Sequence, residues 1–321
     1  MPDIMTDFPF ISICIPAYKR LSFLQRLLDS IRIQAYRNFE VIITDDSPDD
    51  QIEQYLAIQH FDFPVSYYRN LPPKGTPLNW MEGLKYAKGG WIKIIHDDDW
   101  FTDSDALQHL ASSATQNIDC VFSGYTAFYE TTKKSVNKTI NQDQFKKIQA
   151  HPCRLFASND LGPPSVVMFR KDMTERYDAA FKWLVDIEAY VRILREYRCS
   201  YIDKPLITMS YNDTQVTNEC FRNPDIEIYE ALLYYQKHGP RVFEGWVSYD
   251  GWWRLMRNLA IRSLDQLKMH ARGLTVPEEL IHIIRWQSRL PLTFLRTGLF
   301  SKIFMFLSYR VNCIRGIRHH H

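Results

Sequence analysis

Three strand-length apolar runs, each closing in a polar cluster, set the pattern of the N-terminal part of the chain. Phe10-Ile11-Ser12-Ile13-Cys14-Ile15 leads into Pro16-Ala17-Tyr18-Lys19-Arg20, Phe39-Glu40-Val41-Ile42-Ile43-Thr44 into Asp45-Asp46-Ser47, and Trp91-Ile92-Lys93-Ile94-Ile95-His96 into Asp97-Asp98-Asp99. Leu21–Ala35, between the first two, carries apolar residues at the helical period. Such β-branched runs, split by a helix, predict a βαβ unit and a mainly parallel sheet. Ligands of open sheets bind beyond the carboxyl ends of the strands, so the three polar clusters are expected to meet on one edge. Thr102-Asp103-Ser104 reads as the cap of a helix over Asp105–Thr115. Beyond Thr217 the period turns helical, with segments predicted over Asp225–His238, Arg241–His270, Pro277–Ser288 and Pro291–Arg315.

Three consecutive carboxylates at a strand end repel one another unless a cation or cationic side chain offsets them. Mg²⁺ or Mn²⁺ would do so with oxygen ligands; the competing reading is that the acids open a helix, whose N-terminal dipole favours them. Neither G-x-G-x-x-G nor G-x-x-x-x-G-K-[ST] occurs, so the dinucleotide fingerprint and the P-loop are absent.

Several ordered segments together resemble a family-2 glycosyltransferase of the inverting type that builds bacterial surface polysaccharide. Ile11–Arg20 resembles that family's "V-S-I-I-I-P-T-Y-N-R", and Val41–Ser47 its "V-D-D-G-S". Gly75-Thr76-Pro77-Leu78-Asn79-Trp80-Met81-Glu82-Gly83-Leu84 with Ala87-Lys88-Gly89-Gly90-Trp91 resembles the stretch leading to the acidic metal motif, matched by Asp97-Asp98-Asp99. The resemblance covers about residues 10 to 215. It implies an α/β GT-A fold, Rossmann-like, with a mostly parallel sheet flanked by helices and a C-terminal helical region. The corresponding division is 1–217 as catalytic domain and 218–321 as helical region.

Carried over by position, the resemblance assigns Pro16, Ala17 and Tyr18 to the loop beneath the nucleotide of a UDP-sugar, and Asp46 to the uracil imide. A carboxylate accepts an imide N–H, and a tyrosine ring lies against a base or ribose. Asn79 joins the nucleotide-sugar set. Asp99 is implied as a direct ligand of Mn²⁺ or Mg²⁺, with Asp97 and Asp98 on the metal, the ribose or a donor hydroxyl, and Arg20 and Lys74 toward the diphosphate. The same resemblance makes Asp186, at the start of a helix, the general base that takes the acceptor proton; the bland alternative is a helix cap. Gly162, Pro163, Pro164 and Trp183 are implied on the acceptor side. In Met209–Thr217, Asn212 stands where the family carries a histidine, which removes one expected metal ligand.

Composition narrows the setting. A net charge of +2 disfavours a nucleic-acid binder, and six scattered cysteines with no C-x₂-C pair fit reduced thiols in a cytoplasm. No secretory signal precedes the first strand, and His319–His321 reads as a tag remnant, set aside from metal reasoning. From Leu280 to Arg318 there are seven basic residues (Arg285, Arg289, Arg296, Lys302, Arg310, Arg315, Arg318) and no acid, interleaved with aromatic and aliphatic residues. As one helix at about 100° per residue, this segment brings Arg296, Arg310 and Arg318 within about 80° of one another. It is similar to an interfacial helix on anionic lipid; the alternative is a face packed on the catalytic domain or on a second subunit of a homo-oligomer. The expected protein is thus a metal-dependent hexosyl- or N-acetylhexosaminyltransferase. It would lie at the inner face of the cell membrane and act on a glycan or lipid-linked oligosaccharide. The alternatives are a sugar-phosphate nucleotidyltransferase and a non-catalytic glycan-binding homologue. The first would normally carry a glycine-rich basic loop after its first strand, where Pro16-Ala17-Tyr18 stands.

Overall fold

A computed structural model describes residues 8–173, 177–212 and 219–318, with side chains to residue 314 in the last helix. Among these the chain divides into two compact units: the first takes residues 8–149, 160–173, 177–180 and 192–212, the second residues 150–159, 181–191 and 219–318. Where the sequence reading draws one boundary at 217/218, the second unit also takes in two earlier excursions of the chain.

In the first unit, β1 (Ile11–Ala17), β2 (Phe39–Asp45), β3 (Val65–Arg69) and β4 (Trp91–Ile94) form the parallel half of a nine-stranded sheet in the order β3-β2-β1-β4. Every residue of β1 and β2 is buried, as expected of parallel strands covered on both faces. Helices α1 (Leu21–Arg32), α2 (Gln51–Ala57) and α3 (Leu78–Tyr86) make the crossovers, and α1 turns Leu24, Leu27, Leu28 and Ile31 into the core. The sheet continues with the short β5 (Trp100–Phe101), α4 (Ala106–Ser113), β6 (Cys120–Tyr129), β7 (Lys134–Lys138), α5 (Gln142–Ala150) and β8 (Val167–Arg170). β8 runs antiparallel between β4 and β6; β9 (Cys199–Tyr211) lies parallel to β6 and antiparallel to β5.

Gly89 explains why a small residue stands before β4: a Cβ there would lie 2.6 Å from the Ser12 nitrogen. Its own N–H donates to Ser12 Oγ at 2.8 Å, and Ser12 donates to Glu40 Oε1 at 2.7 Å, so a buried polar pair ties β1 to β2.

α6 spans Val185–Glu196, and the rest of the second unit is helical: α7 (Pro224–His238), α8 (Gly245–Asn258), α9 (Leu264–His270), α10 (Glu278–Ser288), α11 (Leu292–Arg296) and α12 (Gly298–Arg318). The single helix expected over Arg241–His270 is two. Ala260 adopts φ 54°, which ends α8, and Ser263 with Gln266 forms a capping box that starts α9. The segment Pro291–Arg315 likewise breaks at Thr297, whose backbone is extended (φ −79°, ψ 122°). Among the described residues no helix is long and apolar enough to cross a membrane.

Candidate functional site

The carboxyl ends of β1, β2 and β4 meet through direct hydrogen bonds. Tyr18 N–H donates to Asp97 Oδ2 at 3.0 Å, Lys19 N–H to Ser47 Oγ at 2.8 Å, and Asp46 N–H to the Ala17 carbonyl at 3.0 Å. Pro16 and Ala17 are therefore fixed as buried backbone beneath this edge, while the Tyr18 ring is half exposed above it.

Asp46 is buried and accepts three hydrogen bonds. Its Oδ1 accepts from Asn70 Nδ2 (2.8 Å) and Lys74 N–H (3.0 Å), and its Oδ2 from Gly75 N–H (2.7 Å). Gly75 has φ 73°, a conformation that glycine adopts without strain. Asn70 also donates to Asn79 Oδ1 at 3.0 Å, and Asn79 Nδ2 reaches the Ala17 carbonyl at 3.4 Å, so one network clamps the loop 70–75 to β1. Lys74 Nζ lies 3.2 Å from Glu82 Oε2, which also binds Lys85 at 2.6 Å.

The acidic triplet separates by partner. Asp97 turns to Arg20, which also pairs with Asp98 Oδ2 at 2.6 Å; the Asp97–Arg20 contact is a close ion pair. Burial pushes the Asp97 carboxyl up against the pull of Arg20. Asp98, Asp99 and His96 instead bring one ligand atom each within 4.8 Å of one another. Burial first, and then the Asp98 charge, push the Asp99 carboxyl well above the usual carboxylate range, opposed by hydrogen bonds from Ser165 and from Ser210 N–H at 3.2 Å. His96 is held neutral, its pKa lowered to about 4 by burial, and its Nε2 is a buried atom with no hydrogen-bond partner. A neutral imidazole with a free ring nitrogen beside two carboxylates is the donor set of a divalent cation, so the residues present fit one.

His96 was hidden in the sequence by its place at the end of an apolar run, where an imidazole reads as a core residue. Lys93 was equally hidden. It is fully buried in β4, donates to the Ser165 and Val167 carbonyls, and sits within electrostatic reach of Asp99; burial lowers its pKa to about 7. Asn212 donates Nδ2 to Asp98 Oδ2 at 3.1 Å, the same oxygen that Arg20 Nη1 meets. Asp213–Thr217, the remainder of that motif, lie outside the described residues. Gly162 (φ 104°) abuts the Tyr125 ring, where a Cβ would come within 2.7 Å, and Pro163-Pro164 lead into the buried Ser165 whose hydroxyl accepts from His96 N–H at 3.0 Å.

In the second unit Asp186 lies in the first turn of α6. Its Oδ2 accepts from Asn159 Nδ2 at 2.7 Å and its Oδ1 from Ile187 N–H at 2.8 Å. The side chain keeps some access to solvent yet is closely surrounded by protein, and this burial raises its pKa to about 6, with the hydrogen bonds opposing and Glu230 adding to the rise. Glu230 cups the segment just before α6: it accepts the N–H groups of Lys182, Trp183 and Leu184, each at 2.8 Å. Trp183 itself is half buried and tilts against Phe221 at 6.5 Å. Removing one acceptor and the charge, Glu230→Gln is expected to lower unfolding free energy by about 2 kcal/mol, measurable by urea denaturation at neutral pH; an unchanged midpoint would show that the three N–H groups have other partners.

The family described as "Glycosyl transferase family 2" matches residues 12–177. A glycosyltransferase of Haemophilus influenzae is 25% identical over 245 residues, covering 75% of this chain and 80% of its own length. Residues 1–349 of TarS from S. aureus, solved in complex with UDP-GlcNAc, superpose with a TM-score of 0.62 at 16% identity, over 94% of this chain and 92% of that one. The mannosyltransferase PcManGT of Pyrobaculum calidifontis, solved with GDP-Man and Mn²⁺, does so with a TM-score of 0.55 at 13% identity, over 94% and 86%. These likenesses establish the GT-A type of fold expected from the sequence.

Proposed function

The chain belongs to glycosyl transferase family 2 and is a glycosyltransferase, and from that premise we propose that it moves a hexosyl or N-acetylhexosaminyl group, with inversion, from a UDP-sugar to a hydroxyl of a glycan. The observation that carries the donor half is the convergence of Pro16–Tyr18, Asp46 and Asp97–Asp99 on one strand edge, linked by hydrogen bonds across 28 to 79 residues of sequence. The Tyr18 ring would meet the ribose or base, and Asp46, which holds three donors and keeps one lone pair of Oδ2 beyond the Gly75 N–H, would meet the uracil imide, with Asn79 setting the loop. Arg20, committed to Asp97 and Asp98, would act by tempering the acidic cluster, and Lys74 by closing over the diphosphate.

His96, Asp98 and Asp99 would hold a divalent cation, Mn²⁺ or Mg²⁺; when bound, such an ion supplies Lewis-acid neutralisation of the departing diphosphate. His96 would provide the imidazole that Asn212 lacks, whereas Asp97 stands on Arg20 and would serve the ion through charge. Asp186 is proposed to accept the proton of the attacking hydroxyl, and Gly162, Pro163, Pro164 and Trp183 to border the acceptor. A lipid-linked oligosaccharide of a surface polysaccharide at the inner membrane face is the acceptor that suits the basic, aromatic C-terminal region.

The deciding experiment measures nucleotide release with a panel of UDP- and GDP-sugars on soluble and lipid-linked acceptors. Turnover of a UDP-sugar supports the reading; turnover of GDP-sugars alone overturns the uracil assignment. His96→Gln is expected to weaken Mn²⁺ binding by about 10–100-fold, read by calorimetry in the presence of UDP and by the Mn²⁺ needed for half-maximal activity. Unaltered Mn²⁺ affinity would remove His96 from the ligand set.

A further inference from the structure

α12 is inverted in polarity. The side chains it buries are Ser301, Met305 and Ser308. Ser301 Oγ accepts from Trp253 Nε1 at 3.0 Å and from Arg257 Nη1 at 3.1 Å, and Ser308 Oγ pairs with the Tyr249 hydroxyl at 2.7 Å. The Ser308 carbonyl meets His282 Nε2 at 3.1 Å. Polar contacts to α8 and α10 therefore seat the helix. Its outward positions are Leu299, Phe300, Ile303, Phe306, Leu307 and Ile314, with Leu299 72% exposed and the other five about half exposed. At ~100° per residue these six positions fall within an arc of about 120° centred roughly 150° from the two serines, so they form one continuous face. Phe304 lies at its border, half buried.

Trp246 at the start of α8 is 52% exposed and closes a groove of about 340 Å³ with Lys302, Ile303, Met305, Phe306 and Leu307. A contiguous apolar face of this kind, held in place by hydrogen bonds that leave its aromatic side chains in water, marks a surface that meets an apolar phase. Arg310 stands within this arc, Lys302 is exposed about 40° beyond its edge and Arg296 just precedes the helix, while no Asp or Glu occurs after Glu279.

We propose that the outward face of α12, together with Trp246, docks in the plane of an anionic lipid bilayer. A second copy of the chain fits less well, because pairing two such faces would gather Lys302 and Arg310 of both copies into one interface to which this segment brings no acid. A bilayer satisfies both features at once: acyl chains receive Phe306, Leu307 and Trp246, and anionic headgroups receive the basic residues. The proposal deepens the reading of the acceptor as lipid-linked, and its test does not depend on catalysis.

Full-length protein is floated with vesicles of phosphatidylcholine alone and of phosphatidylcholine with phosphatidylglycerol, at low and high salt. The expected result is binding to the phosphatidylglycerol vesicles that weakens as salt rises. Lys302→Glu with Arg310→Glu should reduce it about 10–100-fold, and Leu307→Asp should reduce it comparably. These positions are exposed, so the thermal midpoint should stay at the wild-type value. Three results overturn the proposal: no binding to phosphatidylglycerol vesicles at low salt, equal salt-independent binding to both vesicle types, or a dimer in solution that Leu307→Asp dissociates. Turnover of a UDP-sugar on a soluble acceptor should be unchanged in these variants. Its absence from the wild type as well would count against the catalytic reading and leave the vesicle result standing.

Discussion

Asp99→Asn is expected to cut glycosyl transfer by at least roughly 10²–10³-fold while the fold survives intact, the scale of losing one preorganised electrostatic group at a reacting centre. Asn keeps the shape of the side chain and can still accept from Ser210 N–H, the 3.2 Å contact that fixes the wild-type carboxylate. What it loses is the charge beside Asp98 and His96. In the resting protein that charge is a burden, since burial and the neighbouring Asp98 both disfavour it. Neutralising it should therefore leave the thermal midpoint unchanged or raised. Turnover is measured with Mn²⁺ or Mg²⁺ supplied and again after EDTA. A variant that keeps near-wild-type turnover, or a wild type indifferent to EDTA, would end the cation assignment. A variant that loses activity together with a large fall in midpoint would make Asp99 structural.

Asp186→Asn should leave UDP-sugar affinity intact and lower kcat by roughly 10²–10⁴-fold, the contribution of a positioned base. Such a loss corresponds to about 3–5 kcal/mol of barrier. The pH dependence gives an independent reading. Burial raises this carboxyl to about 6, and a base works only when ionised, so kcat of the wild type should climb as pH rises through about 6 and level off above it. The Asn variant should lack that limb. The stability sign runs the other way. A folded-state pKa above the unfolded value of 3.8 makes this group's contribution complete below about pH 4 and lost as pH rises through about 6. At neutral pH the Asn variant should thus be no less stable than wild type. Equal losses in donor affinity and kcat, with no change in the pH profile, would reduce Asp186 to a helix cap.

The strand ends were legible because their signals are local. A run such as Ile11–Ile15 or Val41–Ile43 is apolar on both faces, and only a covered parallel strand tolerates that. Once β1, β2 and β4 are parallel neighbours, the polar residues that follow them must share an edge, so the grouping of Tyr18, Asp46 and Asp97–Asp99 followed from order alone. The break between α8 and α9 was also written locally, in the Ser263 to Gln266 spacing of a capping box, but the apolar period running through it masked the signal.

Partner choice within the edge was not local. Arg20 reads as a free cation that could meet a diphosphate, yet 77 and 78 residues of intervening chain fold back to give it Asp97 and Asp98. Lys93 alternates into what looks like a solvent-facing position, but the turn Pro164–Val166 before β8 buries it and gives its amine the Ser165 and Val167 carbonyls. His96 joins Asp98 and Asp99 because the chain leaves β4 at Ile94 and turns, an irregularity that no periodicity encodes. The sequence by itself determined the parallel sheet, the edge where the acids gather and the acid-free basic tail. Only the tertiary structure decided which carboxylate pairs with Arg20, which imidazole stands free and which face of α12 looks outward. The first set depends on burial patterns a few residues long. The second depends on which distant donors and acceptors can be satisfied together once water is excluded, as Trp253 and Tyr249 satisfy the serines and leave Phe306 and Leu307 outside.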